Sequence, residues 1–281
     1  MIYPSNYLFT FESGLIWEAA MDKQQKNGTE KHILILSDFV GYGNVAMATS
    51  RAVLTRMGCT VFCLPTALIS NTWNFGSCAT LDTTDYLRRS LANWEQLGFP
   101  LDAVLIGYIA DEAQAEFLAQ QCKKWQEQGI QVYLDPIFAD NGKLYRGITE
   151  KQVSFLRTLL PLMDCVFPNE TESCFLADTE DPIQALSVLG QMTGGKIIIT
   201  GADNAVLLRD GQLEQALPYT PIPGSFSGAG DAFTAVCLGG ILAGKSLRES
   251  AQTAIETTKV WIERSQADTW QAMGLPVERY F

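Results

Sequence analysis

The sequence predicts an α/β fold: a doubly wound, mainly parallel central sheet flanked by helices, with no large lid. Three observations carry that reading. Short, continuously apolar runs such as His32-Ile33-Leu34-Ile35-Leu36 and Lys196-Ile197-Ile198-Ile199-Thr200 are typical of parallel strands buried on both faces. Segments between them carry apolar residues at three- and four-residue spacing, the pattern of an amphipathic helix. Strand and helix alternate repeatedly, without an internal sequence repeat.

The alternating unit begins at His32. Before it, residues 1–30 form an N-terminal extension in which Phe9, Phe11, Leu15, Ile16 and Trp17 are too apolar for a loose tail. Residues 31–281 are read as one domain. After the strand 32–36, a loop from Ser37 to Asn44 leads into a helix over Val45–Met57. Thr60 to Leu64 is the next strand, ended by Pro65. A helix over 82–97 has Leu87, Leu91 and Trp94 on one face. Ala103 to Gly107 is a strand, and Asp111 caps a helix bearing Phe117, Leu118, Cys122 and Trp125. A strand over 130–134 ends at Asp135-Pro136. Thr149 and Gln152 form a capping box ahead of Val153, Leu156 and Leu159. Cys165 to Phe167 is a short strand, Asp181–Met192 a helix, and Lys196–Thr200 a strand. Ala205–Arg209 and Gln212–Leu217, joined by Asp210-Gly211, read as an edge hairpin. Ser246 and Glu249 box the start of the last long helix.

Composition narrows the function classes. The chain has 281 residues, 47% of them hydrophobic, and a formal net charge of −11 from 20 basic and 31 acidic side chains. That balance disfavours a nucleic-acid partner. With a single histidine, His32, no zinc-ligand spacing exists, and the odd count of seven cysteines fits free thiols in a reducing, cytoplasmic setting. No apolar stretch is long enough to span a membrane, and no secretory signal pattern opens the chain.

The most informative stretch is Gly224-Ser225-Phe226-Ser227-Gly228-Ala229-Gly230-Asp231, which runs into an almost wholly apolar helix. Gly228 and Gly230 let the backbone approach a ligand closely. The first amides of a helix lack internal partners and lie at its positive end, so residues 228–231 make an anion site suited to a phosphate. Asp231 stands where a carboxylate deprotonates an attacking hydroxyl. Taken alone, it is equally a helix-start carboxylate beside a turn. In a wound sheet, ligands sit beyond the carboxyl ends of the strands. Ser37, Asp38, Thr66, Tyr108, Asp135, Asn169, Thr200 and Gly201 all fall there, and the glycine loop joins them.

Ser-Gly-Ala-Gly-Asp-Ala-Phe, late in a chain of this length, resembles the signature of the ribokinase superfamily. Within it, Leu64-Pro65-Thr66-Ala67-Leu68-Ile69-Ser70-Asn71, Asp102 to Tyr108, Asp135-Pro136-Ile137-Phe138 through Tyr145, and Pro168-Asn169-Glu170-Thr171-Glu172 resemble segments of the pyridoxal (vitamin B6) kinases. The likeness covers roughly residues 32–265. Sugar kinases of the superfamily insert lid strands soon after the first strand, and the short Ser37–Asn44 stretch leaves no room for them.

The resemblance implies an ATP- and Mg²⁺-dependent kinase that phosphorylates the hydroxymethyl group of a vitamin B6-like ring, acts in vitamer salvage and pairs as a homodimer. It implies Asp231 as the base, with Gly228, Ala229 and Gly230 as the anion hole. Asn169, Glu172, Thr200, Gly201 and Ser227 fall on the nucleotide side, and Asp135 and Glu172 on the metal; Asn169 and Glu172 are also the two ends of a helix capping box. Ser37, Asp38, Thr66, Trp73, Asn74 and Tyr108 line the ring pocket. The sequence departs from the family at Thr72-Trp73, where many members carry His-Thr, and in the first loop, which lacks their histidine. Those departures bear on which vitamer is preferred. A hydroxymethylpyrimidine kinase and a non-catalytic nucleotide-binding regulator are the alternatives.

Overall fold

A computed structural model describes residues 30–266 and 271–281. The expected N-terminal extension therefore lies, Glu30 apart, outside the described residues. One nine-stranded sheet forms the centre. From β2 (Thr60–Asn71) through β1 (His32–Tyr42), β4 (Ala103–Ile106), β5 (Gln131–Leu134) and β8 (Cys165–Val166) to β9 (Lys196–Ala202), every neighbouring pair is parallel. β3 (Thr80–Asp82) at one edge, and the hairpin β10 (Ala205–Asp210) with β11 (Leu213–Pro218) at the other, run antiparallel. β6 (Ala139–Asp140) and β7 (Lys143–Leu144) form a separate two-stranded hairpin.

Alternation along β1 divides the core into two layers. Leu34 and Leu36 face a cluster built with α2 (Thr84–Leu97), α3 (Glu112–Glu127), α4 (Glu150–Leu159), α5 (Glu170–Ala177) and α6 (Pro182–Met192). Ile33 and Ile35 face the other layer, built with α1 (Ala46–Arg56), α7 (Ala229–Leu242) and α8 (Leu247–Ser265). Helices on both faces explain why the inner strands read as unbroken apolar runs. α7 is covered on nearly every side, with Ala232 through Gly240 all buried. The capping boxes read from sequence at Thr149/Gln152 and Ser246/Glu249 are present.

Two local expectations are corrected. Ser37–Asn44 is not a loop, because β1 continues to Tyr42; and Pro65 does not end β2, which continues to Asn71. A proline lacks the N–H of a ladder, but here it sits beside an irregularity that accommodates it. Ser37 pairs with Pro65 and Phe39 with Leu68, so Thr66 and Ala67 together oppose Asp38. Such a bulge bends the pair and re-aims side chains. Because β4 pairs with β1 only from Ile33 to Leu36, the far ends of β1 and β2, with β3, leave the main sheet as a small three-stranded flap. β3 and the β6–β7 hairpin are too short to show a periodic pattern in sequence.

Candidate active site

The carboxyl ends of the strands and the amino end of α7 meet at one place. Gly228 caps α7 with φ 81°, and Asp231 occupies the helix's first turn. Asp231 is half-buried, and its Oδ2 accepts the backbone N–H of Ala46 at 2.7 Å. Ala46 has φ 50°, a left-handed conformation costing a non-glycine residue roughly 1–2 kcal/mol. The strained residue is the one that orients the candidate base. Asp135, at the end of β5, accepts the Thr234 hydroxyl at 2.8 Å. Thr234 lies three residues after Asp231, on the same helix face. Asp38, 8% exposed at the bulge, accepts the Ser37 hydroxyl at 3.2 Å.

These acids share one electrostatic environment. Burial pushes the Asp231 carboxyl up to about 6, against the pull of the Ala46 N–H. Burial, and then the Asp231 charge, raise Asp38 and Asp135 to about 7 each. Burial, Asp38 and Asp111 raise the Tyr108 phenol. Tyr145 is raised by burial and by Glu172, Asp140, Asp231 and Asp135. Among the described residues no basic side chain acts on the three aspartates to lower them. Among the described residues no three such side chains converge closely enough to hold a metal ion by themselves; Mg²⁺, however, takes one or two carboxylates together with phosphates and water. Asp135 fits that role, because among the described residues its carboxylate is engaged through Oδ2 alone.

Glu172 does not fit it as a direct ligand. It is 3% exposed, and it accepts the N–H groups of Phe138 at 3.1 Å, Ala139 at 3.4 Å and Asn169 at 2.9 Å. Three donors fill most of a carboxylate's acceptor capacity. Burial and the Asp135 charge hold its carboxyl well above the ordinary range. Its place is to brace the turn after Asp135 against α5. Asn169 completes the same unit: its Oδ1 accepts the Glu172 N–H at 2.9 Å, and its Nδ2 donates to the Ala139 carbonyl at 2.8 Å. Asn169 also bridges to Thr200, with Gly201 following at φ 90°.

The remaining expected residues divide. The Ala229 N–H donates to the Phe226 carbonyl at 3.1 Å, so this amide is not free for an anion. Ser37 is a strut: its hydroxyl also receives the Tyr108 N–H at 3.3 Å, and a side chain on Gly107 would collide with it. Thr66 is fully buried, with its carbonyl held by Gln114, so it presents no surface to a ligand. Trp73, 43% exposed, and Asn74 lie on the 3-10 turn Trp73–Phe75 beyond the flap. Asn74 donates to the Ser227 hydroxyl at 2.8 Å, which joins the flap tip to the glycine loop. Sequence reasoning missed Ala46, Thr234 and Tyr145. Thr234 was readable from its spacing to Asp231; a backbone donor such as Ala46 leaves no residue-type signal.

The pfkB family carbohydrate kinase model matches residues 104–272. Over 259 residues the chain is 27% identical to the pyridoxal kinase PdxY of Rubrobacter xylanophilus, covering 83% of this chain and 87% of that one. A Bacteroides thetaiotaomicron protein described as a phosphomethylpyrimidine kinase, crystallised with pyridoxal, superposes with a TM-score of 0.81 at 26% identity, over 89% of this chain and 94% of the other. The pyridoxal kinase of Lactobacillus plantarum gives 0.80 at 26% identity, over 90% and 95%. Among the described residues no helix is long and apolar enough to cross a membrane.

Proposed function

Because the chain belongs to the pfkB family of carbohydrate kinases, and is a pyridoxal kinase-like phosphotransferase acting on an alcohol group, we propose that it transfers the γ-phosphoryl group of ATP to the hydroxymethyl group of a vitamin B6-type ring. The observation that carries this reading is Asp231. It is half-buried at the amino end of α7, fixed by Ala46, and raised to about 6, close to the working range of a general base. Asp231 takes the hydroxyl proton as the oxygen attacks phosphorus. The free amides of the glycine loop and the α7 dipole hold charge on the equatorial oxygens. Mg²⁺, held on the Asp135 side, would neutralise phosphate charge. Asn169 and Glu172 hold the turn after Asp135 in place, while Thr200 and Gly201 border the nucleotide.

Turnover of pyridoxal, pyridoxine, pyridoxamine and a hydroxymethylpyrimidine, read as ATP consumption, tests this proposal; no turnover of any of them would end it. A pyrimidine acceptor is the second reading, favoured by the description of the Bacteroides relative. The intact Gly228–Asp231 loop speaks against a non-catalytic regulator.

Asp38 supplies a specificity prediction. It is buried at the bulge and joined to Tyr108 through the Ser37 hydroxyl, so in the proposed pocket a ring stacked on the phenol would bring a substituent toward its carboxylate. Asp38→Ala is expected to raise KM for pyridoxamine by about tenfold, the scale of a charge-assisted hydrogen bond, and to change KM for pyridoxine much less. Equal effects on both substrates would make Asp38 structural.

The flap supports a homodimer. Phe39, Leu68 and Leu81 stand side by side across β1, β2 and β3, exposed at 45%, 37% and 60%. A contiguous apolar row of this kind is a pairing surface. Light scattering at micromolar concentration should return the mass of two chains, and Leu68→Glu should halve it. A monomer mass for the unaltered chain would remove the idea.

A further inference from the structure

The glycine loop is tied to a segment with no part in the phosphotransfer described above. The Ala272 carbonyl accepts the Thr72 hydroxyl at 2.8 Å and the Asn74 amide at 3.2 Å. The Met273 carbonyl accepts the Asn44 N–H at 2.5 Å, and the Leu275 N–H donates to the Ser227 carbonyl at 3.0 Å. Four stretches distant in sequence thus join at one knot: the turn into α1, the flap tip, the glycine loop and residues 272–275. Packing there excludes side chains. A Cβ on Gly228 would stand 2.7 Å from the Asn44 carbonyl oxygen, and one on Gly274 would stand 2.1 Å from it. Both glycines have left-handed φ, 81° and 96°.

The Leu275 bond has a geometric consequence. In a planar trans peptide the carbonyl and the following N–H point in opposite directions. Drawing the Ser227 carbonyl toward Leu275 therefore turns the Gly228 N–H away from it. Among the described residues no hydrogen-bond acceptor takes that N–H.

We infer that residues 272–275 are a positioning element of the phosphotransfer site: they fix the Ser227–Gly228 peptide so that the Gly228 amide serves the transferring phosphoryl group, and Thr72 sets them through Ala272. The inference rests on the phosphotransfer reading above. Thr72 is buried and acts only through backbone.

The test is a set of four variants assayed by steady-state kinetics with parallel thermal melts. Thr72→Val removes the donor to Ala272 with little change in volume; kcat should fall about tenfold, a fraction of the loss from deleting an oxyanion donor. The nucleotide KM should stay within about twofold, because binding to ground and transition states then differs only at the reacting centre. Thr72→Ser should restore kcat. Gly274→Ala, forced off Asn44, should give the same signature, and the double variant should lose no more than the more damaging single, since both loosen one unit. If Gly274→Ala fails to fold, the Thr72 pair decides. Unchanged kcat in Thr72→Val, no recovery in Thr72→Ser, or a fully additive double variant overturns the inference. Absence of turnover in the unaltered protein would instead bring down the phosphotransfer reading itself.

Discussion

Asp231→Asn is expected to keep the fold and to lose turnover by about 10²-fold or more, the usual contribution of a positioned base. The amide oxygen can still accept the Ala46 N–H, and the substitution removes a half-buried charge that raises Asp38 and Asp135. Thermal stability at neutral pH should therefore hold or rise while kcat collapses. The pH profile follows from the same group. A base works only when deprotonated, so kcat/KM should fall as pH drops through about 6, the raised value for Asp231, rather than near 4. For stability the sign is opposite: a carboxyl raised in the folded state binds its proton more tightly there. Its contribution is therefore present below about pH 4 and is lost as pH rises through about 6. Near-normal turnover of Asp231→Asn at saturating substrate would show that another group takes the proton.

Glu172→Ala should be the most destabilising single change at the site. It strands the N–H groups of Asn169, Phe138 and Ala139 in a buried position. At about 1 kcal/mol or more for each unsatisfied donor, the loss is on the order of 3 kcal/mol. In a chain of this size that is roughly 10 °C in Tm. A bracing role predicts that loss with or without Mg²⁺. A metal-ligand role predicts a normal melt and a raised Mg²⁺ requirement, and that pair of results would reverse the assignment.

Much of the fold was legible because its physics is local. β1 and β9 declared themselves by unbroken apolar runs, and α4, α5 and α8 by boxes whose two members lie three residues apart. The glycine loop was legible as a run of small residues ahead of an apolar helix, with Asp231 at its end; at Gly228 a Cβ would meet the Asn44 carbonyl oxygen. The flap was not, because Pro65 ordinarily ends a strand and the bulge at Asp38 breaks the alternation by which strands are read. Ser37 and Thr66, expected beyond strand ends, lie inside β1 and β2, and burial assigns them to the frame. The register that decides this involves β1, β2 and β4 together. The role of residues 272–275 is carried by carbonyls and amides, which every residue type possesses.

The strand order bears on how the polypeptide is made. Starting from β1, each later strand of the sheet joins at whichever edge is open at that moment: β2 and β3 on one side, then β4, β5, β8, β9, β10 and β11 successively on the other. No strand has to be inserted between two already paired. The sheet can therefore grow by accretion as the polypeptide leaves the ribosome, in the order of translation. α7, which carries Asp231, follows the last strand and packs across α1 from the opposite part of the sequence. A nascent chain halted just after β11 would carry every strand of the sheet but neither Asp231 nor α7 and α8, the helices that cover much of one face, so the strands and the candidate base arrive at separate moments of synthesis.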